Sequence, residues 1–194
     1  MYPILFQFEI PFTDFGVISV FFHGILTALG FVIAVLWFLR HAQNQHLHLE
    51  FFLDHFFALL FWGVVGARLG YVYLFFVRYQ HDPMTMLYLW DGGFLLWSGI
   101  IFFLLALLYF TARQKEKIGQ WMDVLVPASI LAMLFESIGA FLGGNNYGKP
   151  TELPWGISFE NAEVPYTIPI HPVQLYLFFS LLIVMMVISV LHQR

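Results

Sequence analysis

The sequence predicts an all-α fold, a polytopic transmembrane helical bundle of about five spans. Five stretches are almost free of charge, at roughly residues 15–39, 51–77, 94–112, 121–142 and 172–191. Each approaches the about 20 apolar residues a helix needs to cross a hydrocarbon core of about 30 Å. Only 10% of the 194 residues are charged and 60% are hydrophobic, with 24 Phe, where a soluble domain carries about 25% charged residues. The whole chain, 1–194, reads as one transmembrane domain.

The spans should be helices, because backbone groups in lipid must be satisfied within their own segment. The N-terminus lacks the basic start of a secretory signal and carries Glu9 and Asp14, so the first stretch reads as a retained span. It ends at Arg40 and His41, and the second runs from Glu50 to near Arg78. The loop Tyr79-Gln80-His81-Asp82-Pro83 follows. The third lies between Trp90-Asp91-Gly92-Gly93 and the charged run Arg113–Lys117, and the fourth begins at Trp121. The fifth opens at Pro172, a residue suited to a first helical turn. Arg40, Arg113, Lys115, Lys117 and Arg194 fall on one side, which the positive-inside rule makes cytoplasmic. The N-terminus and an outward loop over about 143–171 then face the other side. That loop holds Pro150, Pro154, Pro165 and Pro169, which disfavour regular helix, and Trp155 and Tyr166, which suit a headgroup layer. Gly66-Ala-Arg-Leu-Gly70 and Gly139-Ala-Phe-Leu-Gly143 have the small-xxx-small spacing of close helix contacts.

Composition excludes some chemistry. With no Cys there is no disulfide, thiol nucleophile or thiolate metal site, and at a net charge of −4 no basic face invites nucleic acid. Few polar residues remain inside the spans, and those are functional candidates. Arg68 must face an acid, a carbonyl or water. It reads either as a structural partner of Glu136 or Asp91, or as an anion site for lipid phosphate, which the guanidinium fork suits. Glu136 is that partner, a neutral acid, or a general base. Asp91 reads as a turn residue and helix cap, or as the Arg68 partner. His23 is a buried imidazole bonded to a carbonyl, or a proton carrier. His171 and Gln174 open the fifth span, where they can orient the loop or hold a headgroup. His41, His46, His48, Glu50 and His55 match no metal-ligand spacing, so they read as a solvated loop and neither metal nor cofactor is expected.

Taken in order, five segments resemble the bacterial prolipoprotein diacylglyceryl transferases. These are Phe22-His-Gly-Ile-Leu26, Gly66-Ala-Arg-Leu-Gly-Tyr71, Leu89-Trp-Asp-Gly-Gly93, Gly148-Lys-Pro-Thr-Glu-Leu-Pro-Trp-Gly156 and His171-Pro-Val-Gln-Leu-Tyr176. The resemblance implies a bacterial inner-membrane enzyme that moves diacylglyceryl from phosphatidylglycerol to the lipobox Cys of a prolipoprotein signal segment. Thioether-linked lipid and glycerol phosphate would be the products. It implies lipid contacts for Arg68, Gln174, Ser137 and Asn145, proton handling by His23 or His171, and motif roles for Asp91, Gly92, Gly93, Glu136 and Gly148. The departures lie in reactive positions. Trp97 stands where the family has a His thought to act as base, Ser137 where an Arg binds phosphate, and Ala140 where an Asn is expected. Asn145 and Leu177 stand where Glu residues are usual, and Val173 replaces a Ser. Two further helices of the family pattern, carrying an Arg and a Glu, are not matched, so a shortened member is expected. The alternative is a non-catalytic relative that binds lipid or a lipoprotein signal segment. A transporter is disfavoured, since few polar residues line any continuous path.

Overall fold

The computed structural model describes residues 4–9, 17–80, 82–159 and 168–192. Asp14, Phe15, His81, Pro165, Tyr166 and Arg194 lie outside the described residues. An N-terminal hairpin pairs β1 (Ile4–Glu9) antiparallel with β2 (Val17–Phe21). The helices are α1 (Phe22–Asn44), α2 (Leu49–Leu74), the short α3 (Phe76–Tyr79), α4 (Leu96–Gln114), α5 (Ile118–Gly143) and α6 (Val173–His192). Two 3₁₀ turns, Pro83–Leu87 and Leu89–Asp91, link α3 to α4. Among the described residues five helices have the length and hydropathy to cross a bilayer, which suits a multi-pass membrane protein.

The first expected span starts later than the sequence suggests. Val17-Ile18-Ser19-Val20-Phe21 is rich in β-branched residues and takes strand geometry, so α1 begins at Phe22 and continues past Arg40 to Asn44. The second breaks at Phe75, whose backbone leaves helical values (φ −111°, ψ 30°). Pro127 lies within α5, where it has no N–H for the Asp123 carbonyl.

Two compact units divide the chain: Met1–His41 with Asp123–Arg194, and Ala42–Met122. In the second unit, α2 and α4 approach closely. Gly66 leaves no room for a Cβ beside Phe102, nor Gly70 beside Ser98, and Gly99 lies against the Gly63 carbonyl at 3.0 Å from its would-be Cβ. In lipid, where no hydrophobic effect drives helices together, such backbone approach maximises van der Waals contact. The aromatics Phe51 and Phe52 pack on the fully buried Trp121. In the first unit, Gly30 has no space for a Cβ beside Phe135, and a Cβ on Gly139 would sit 3.2 Å from the His23 Cα. Both small-xxx-small patterns therefore mark real helix contacts. The described parts of the loop before α6 are held by backbone bonds and a small core. Ile157 and Ile170 exchange N–H···O bonds of 3.0 Å, and Phe159 and Ile170 are buried with Phe141, Tyr147 and Ile157 against them.

Candidate functional site

The polar residues singled out above fall into two groups, one in each unit. In the Ala42–Met122 unit the centre is Arg68, only 5% exposed. Its Nε donates to the Met86 carbonyl at 2.9 Å, and Nη2 donates to Thr85 O at 2.9 Å and Tyr88 O at 3.0 Å. Nη1 donates to Gly92 O and, at 3.0 Å, to Gly93 O. All five guanidinium N–H groups are thus engaged with main-chain carbonyls of residues 85–93. Within this unit the expected carboxylate is not used: among the described residues Asp91 forms no ion pair with Arg68. Five carbonyl dipoles supply the negative potential instead, and no N–H is left over for a phosphate in this arrangement. The Tyr79 and Phe94 rings stand 5.6 and 5.9 Å from the guanidinium carbon and complete the enclosure.

Local sequence explains the cage. Gly92 (φ 72°) and Gly93 (φ 79°) take left-handed backbone values that turn consecutive carbonyls onto one cation. A Cβ on Gly93 would also lie 2.6 Å from the Tyr71 ring and 2.9 Å from Nη1. Asp91 ends a 3₁₀ turn and does not cap α4, whose N-cap is Leu95 without a side-chain bond. That corrects the helix-cap reading; the turn reading holds. The Leu95 N–H instead donates to the Ala67 carbonyl on α2 at 2.9 Å. Trp97 follows in the first turn of α4 and is 72% exposed.

In the other unit the group gathers around the end of α5. Asn145 N–H closes on Ala140 O at 2.8 Å, and Gly144 (φ 73°) and Asn146 (φ 55°) turn the chain. Gln174, 2% exposed on α6, donates from Nε2 to the Asn145 carbonyl at 2.5 Å while its buried Oε1 has no partner. His23 Nδ1 and, one turn along α1, Thr27 Oγ1 are also buried without partners among the described residues. The carbonyl bond expected for His23 is therefore absent at Nδ1. The place a Gly143 Cβ would occupy lies 3.2 Å from Asn145 Nδ2 and 3.3 Å from His23 Cβ, so both side chains border one spot. Ser137 is buried but turns its hydroxyl back to Met133 O at 2.8 Å on its own helix. Glu136 accepts a 3.4 Å bond from Asn146 Nδ2.

Gly148 brings the loop onto the start of α6. Its N–H donates to His171 O at 3.1 Å, and a Cβ there would meet His171 at 2.7 Å. His171 Nδ1 is 3.1 Å from Tyr176 Oη, which accepts the Trp155 indole N–H at 2.8 Å. Indole can only donate, so the phenol proton is free for Nδ1, and the neutral ring then carries its hydrogen on Nε2. Sequence reasoning missed this relay, although Trp155 and Tyr176 sit in the two motifs already noted. It also missed Asn146. Of the histidines near the start of α2, His41 Nδ1 bonds to Trp37 O at 3.1 Å and His55 Nδ1 to Phe51 O at 2.8 Å. His48 pairs with Glu116 at 2.7 Å, and that carboxylate raises its pKa above the ordinary imidazole value of 6.5.

The family model described as prolipoprotein diacylglyceryl transferase matches residues 11–194. The chain belongs to that family. A phosphatidylglycerol–prolipoprotein diacylglyceryl transferase of Methylococcus capsulatus is 32% identical over 169 residues, 84% of this chain and 63% of the relative. Proteins of the same name from Actinobacillus pleuropneumoniae (30% over 167 residues) and Wolbachia pipientis (31% over 163) cover 84% and 83% of the chain and 62% and 61% of their own lengths. The chain thus spans a little over three fifths of the relatives it matches.

Proposed function

We propose that this protein transfers diacylglyceryl from phosphatidylglycerol to the lipobox Cys thiol of a prolipoprotein. We further propose that it does so in the bacterial cytoplasmic membrane, with its N-terminus outward and C-terminus cytoplasmic. The observation that carries the reading is the buried, unpartnered His23 Nδ1 in a chain matched by the family over residues 11–194. In this reading the neutral imidazole accepts the thiol proton at Nδ1. Sulfur attacks the diacylglycerol carbon that bears the phosphate, the carbon–oxygen bond breaks, and glycerol phosphate leaves with the electron pair. Gln174 Oε1 accepts a headgroup hydroxyl, and Asn145 Nδ2 donates beside it. His171, held by Tyr176, orients the loop that bounds the site and offers Nε2–H. Arg68 acts on the anionic lipid through its net positive charge and the loop it fixes, and Ser137 by turning its hydroxyl from Met133.

The replacements favour a second reading, a non-catalytic relative that binds the lipid or signal segment. Exposed Trp97 offers no proton acceptor at the expected base position, and every Arg68 N–H already has a carbonyl. The test incubates purified protein with phosphatidylglycerol labelled in its diacylglycerol part and a lipobox peptide. Thioether product that vanishes in His23→Asn supports transfer. Retained lipid with no product from the unaltered protein selects the second reading.

A further inference from the structure

We propose that the cavity beside the Arg68 cage is a zwitterion site that takes a phosphoethanolamine group, a role distinct from the transfer proposed for the residues around His23. The cavity is about 240 Å³ and is lined by Arg68, Tyr71, Arg78, Tyr79, Asp82, Thr85, Asp91, Gly92 and Gly93. That is below the range of about 300–1,000 Å³ usual for larger organic ligands, so a small headgroup fits. Arg78 and Asp82, Arg68 and Asp91 give the lining two positive and two negative charges.

The charges differ in availability. Arg68 has no free N–H, so it contributes positive potential and holds the floor rigid. Arg78 is exposed and has no ion-pair partner among the described residues, so its fork is open to a phosphate. Asp91 is likewise exposed and unpaired, and Asp82 uses Oδ1 to accept the Met84 N–H at 3.1 Å and keeps its other oxygen. A primary ammonium satisfies these carboxylates through its three N–H groups and can lie against the Tyr71 and Tyr79 faces. A purely anionic group would meet Asp82 and Asp91, and a purely cationic one Arg78, each with an unbalanced like charge. Only a ligand that carries both signs matches the lining.

The depth fits a lipid headgroup. The 26 residues of α2 span about 39 Å at 1.5 Å per residue, longer than a core of about 30 Å, so its last turns reach the headgroup layer. Exposed Tyr73 and Trp90 flank the cavity residues in sequence, as interfacial aromatics do. The loop is preorganised by five charge-assisted bonds, so little ordering is needed on binding.

The test places purified protein in nanodiscs containing equal phosphatidylethanolamine and phosphatidylglycerol and measures lipid retained per protein by native mass spectrometry. Phosphatidylethanolamine should be retained, and Arg78→Gln and Asp91→Asn should each weaken that retention about tenfold. Arg78→Lys and Asp91→Glu should keep most of it, which separates loss of charge from loss of fold. Soluble O-phosphoethanolamine that displaces the lipid shows the headgroup alone suffices, whereas retention unaffected by it shows that the membrane-anchored lipid is required. No retained phosphatidylethanolamine, or retention of it that survives Arg78→Gln and Asp91→Asn together, overturns the proposal. The readout is lipid retention rather than thioether product, so its failure is distinct from failure of the transfer reading.

Discussion

Around Arg68 each of five donors meets a carbonyl, while around His23 and Gln174 two buried acceptors meet no donor among the described residues. A saturated buried charge is structural, since its removal strands the groups that solvated it. An unsaturated buried acceptor costs about 1–3 kcal/mol while it stands empty, and a ligand that satisfies it recovers that cost. The contrast supports architecture for the Arg68 cage and the proposed chemistry for the His23 group, where the sequence alone leaves Arg68 open as a structural partner or an anion site.

The largest effect should come from Arg68→Met. It leaves five carbonyls facing an apolar side chain and should cost about 3–5 kcal/mol, the range for breaking a buried charged network. Thermal unfolding in detergent would show it as a sharply lowered Tm, and a Tm close to that of the unaltered protein would undo the structural assignment. His23→Asn should do the opposite, with Tm nearly unchanged and thioether formation down about 10²–10⁴-fold, the usual contribution of a general base. If transfer persists at the original rate, His23 holds no proton.

Gly93→Ala sharpens the comparison inside the cage. It combines left-handed strain with contact on Tyr71 and Arg68, and should destabilise by about 2–3 kcal/mol. Gly92→Ala, with open space around it, should show backbone strain alone, about 1–2 kcal/mol. Equal losses in the two would mean that the contacts add nothing. Tyr176→Phe removes the phenol between Trp155 and His171 and should move the His171 ring resonances in NMR spectra, with a stability change of only about 1 kcal/mol.

The smallest effect belongs to His48 and Glu116, an ion pair with the imidazole side chain 80% exposed. Its folded pKa lies above 6.5, so its stabilisation is complete below pH 6.5 and fades as pH rises through the raised folded value. A small Tm difference between His48→Gln and the unaltered protein should be present near pH 6 and vanish near pH 9. A difference that grows with pH would contradict the pairing.

The helices were legible because uninterrupted apolar runs have one backbone solution in lipid, and Gly66, Gly70, Gly139 and Gly143 already marked close approach. The strand at Val17–Phe21 was not, since a short β-branched apolar run reads equally as the start of a span. Of the site, the sequence singled out Arg68, His23, His171 and Gln174 as polar groups out of place in apolar stretches. It gave no means of pairing them, because hydrogen bonds to main-chain carbonyls leave no trace in residue identity.

By itself, then, the chain determined how many spans it makes and which of their faces are bare of side chains, since these follow from composition and spacing, and its motifs carried the family resemblance. Only the tertiary structure decided that Arg68 is answered by carbonyls of residues 85–93 and that His23 Nδ1 is left unanswered. Main-chain polarity is the same at every residue, so where it points depends on the path of the folded backbone.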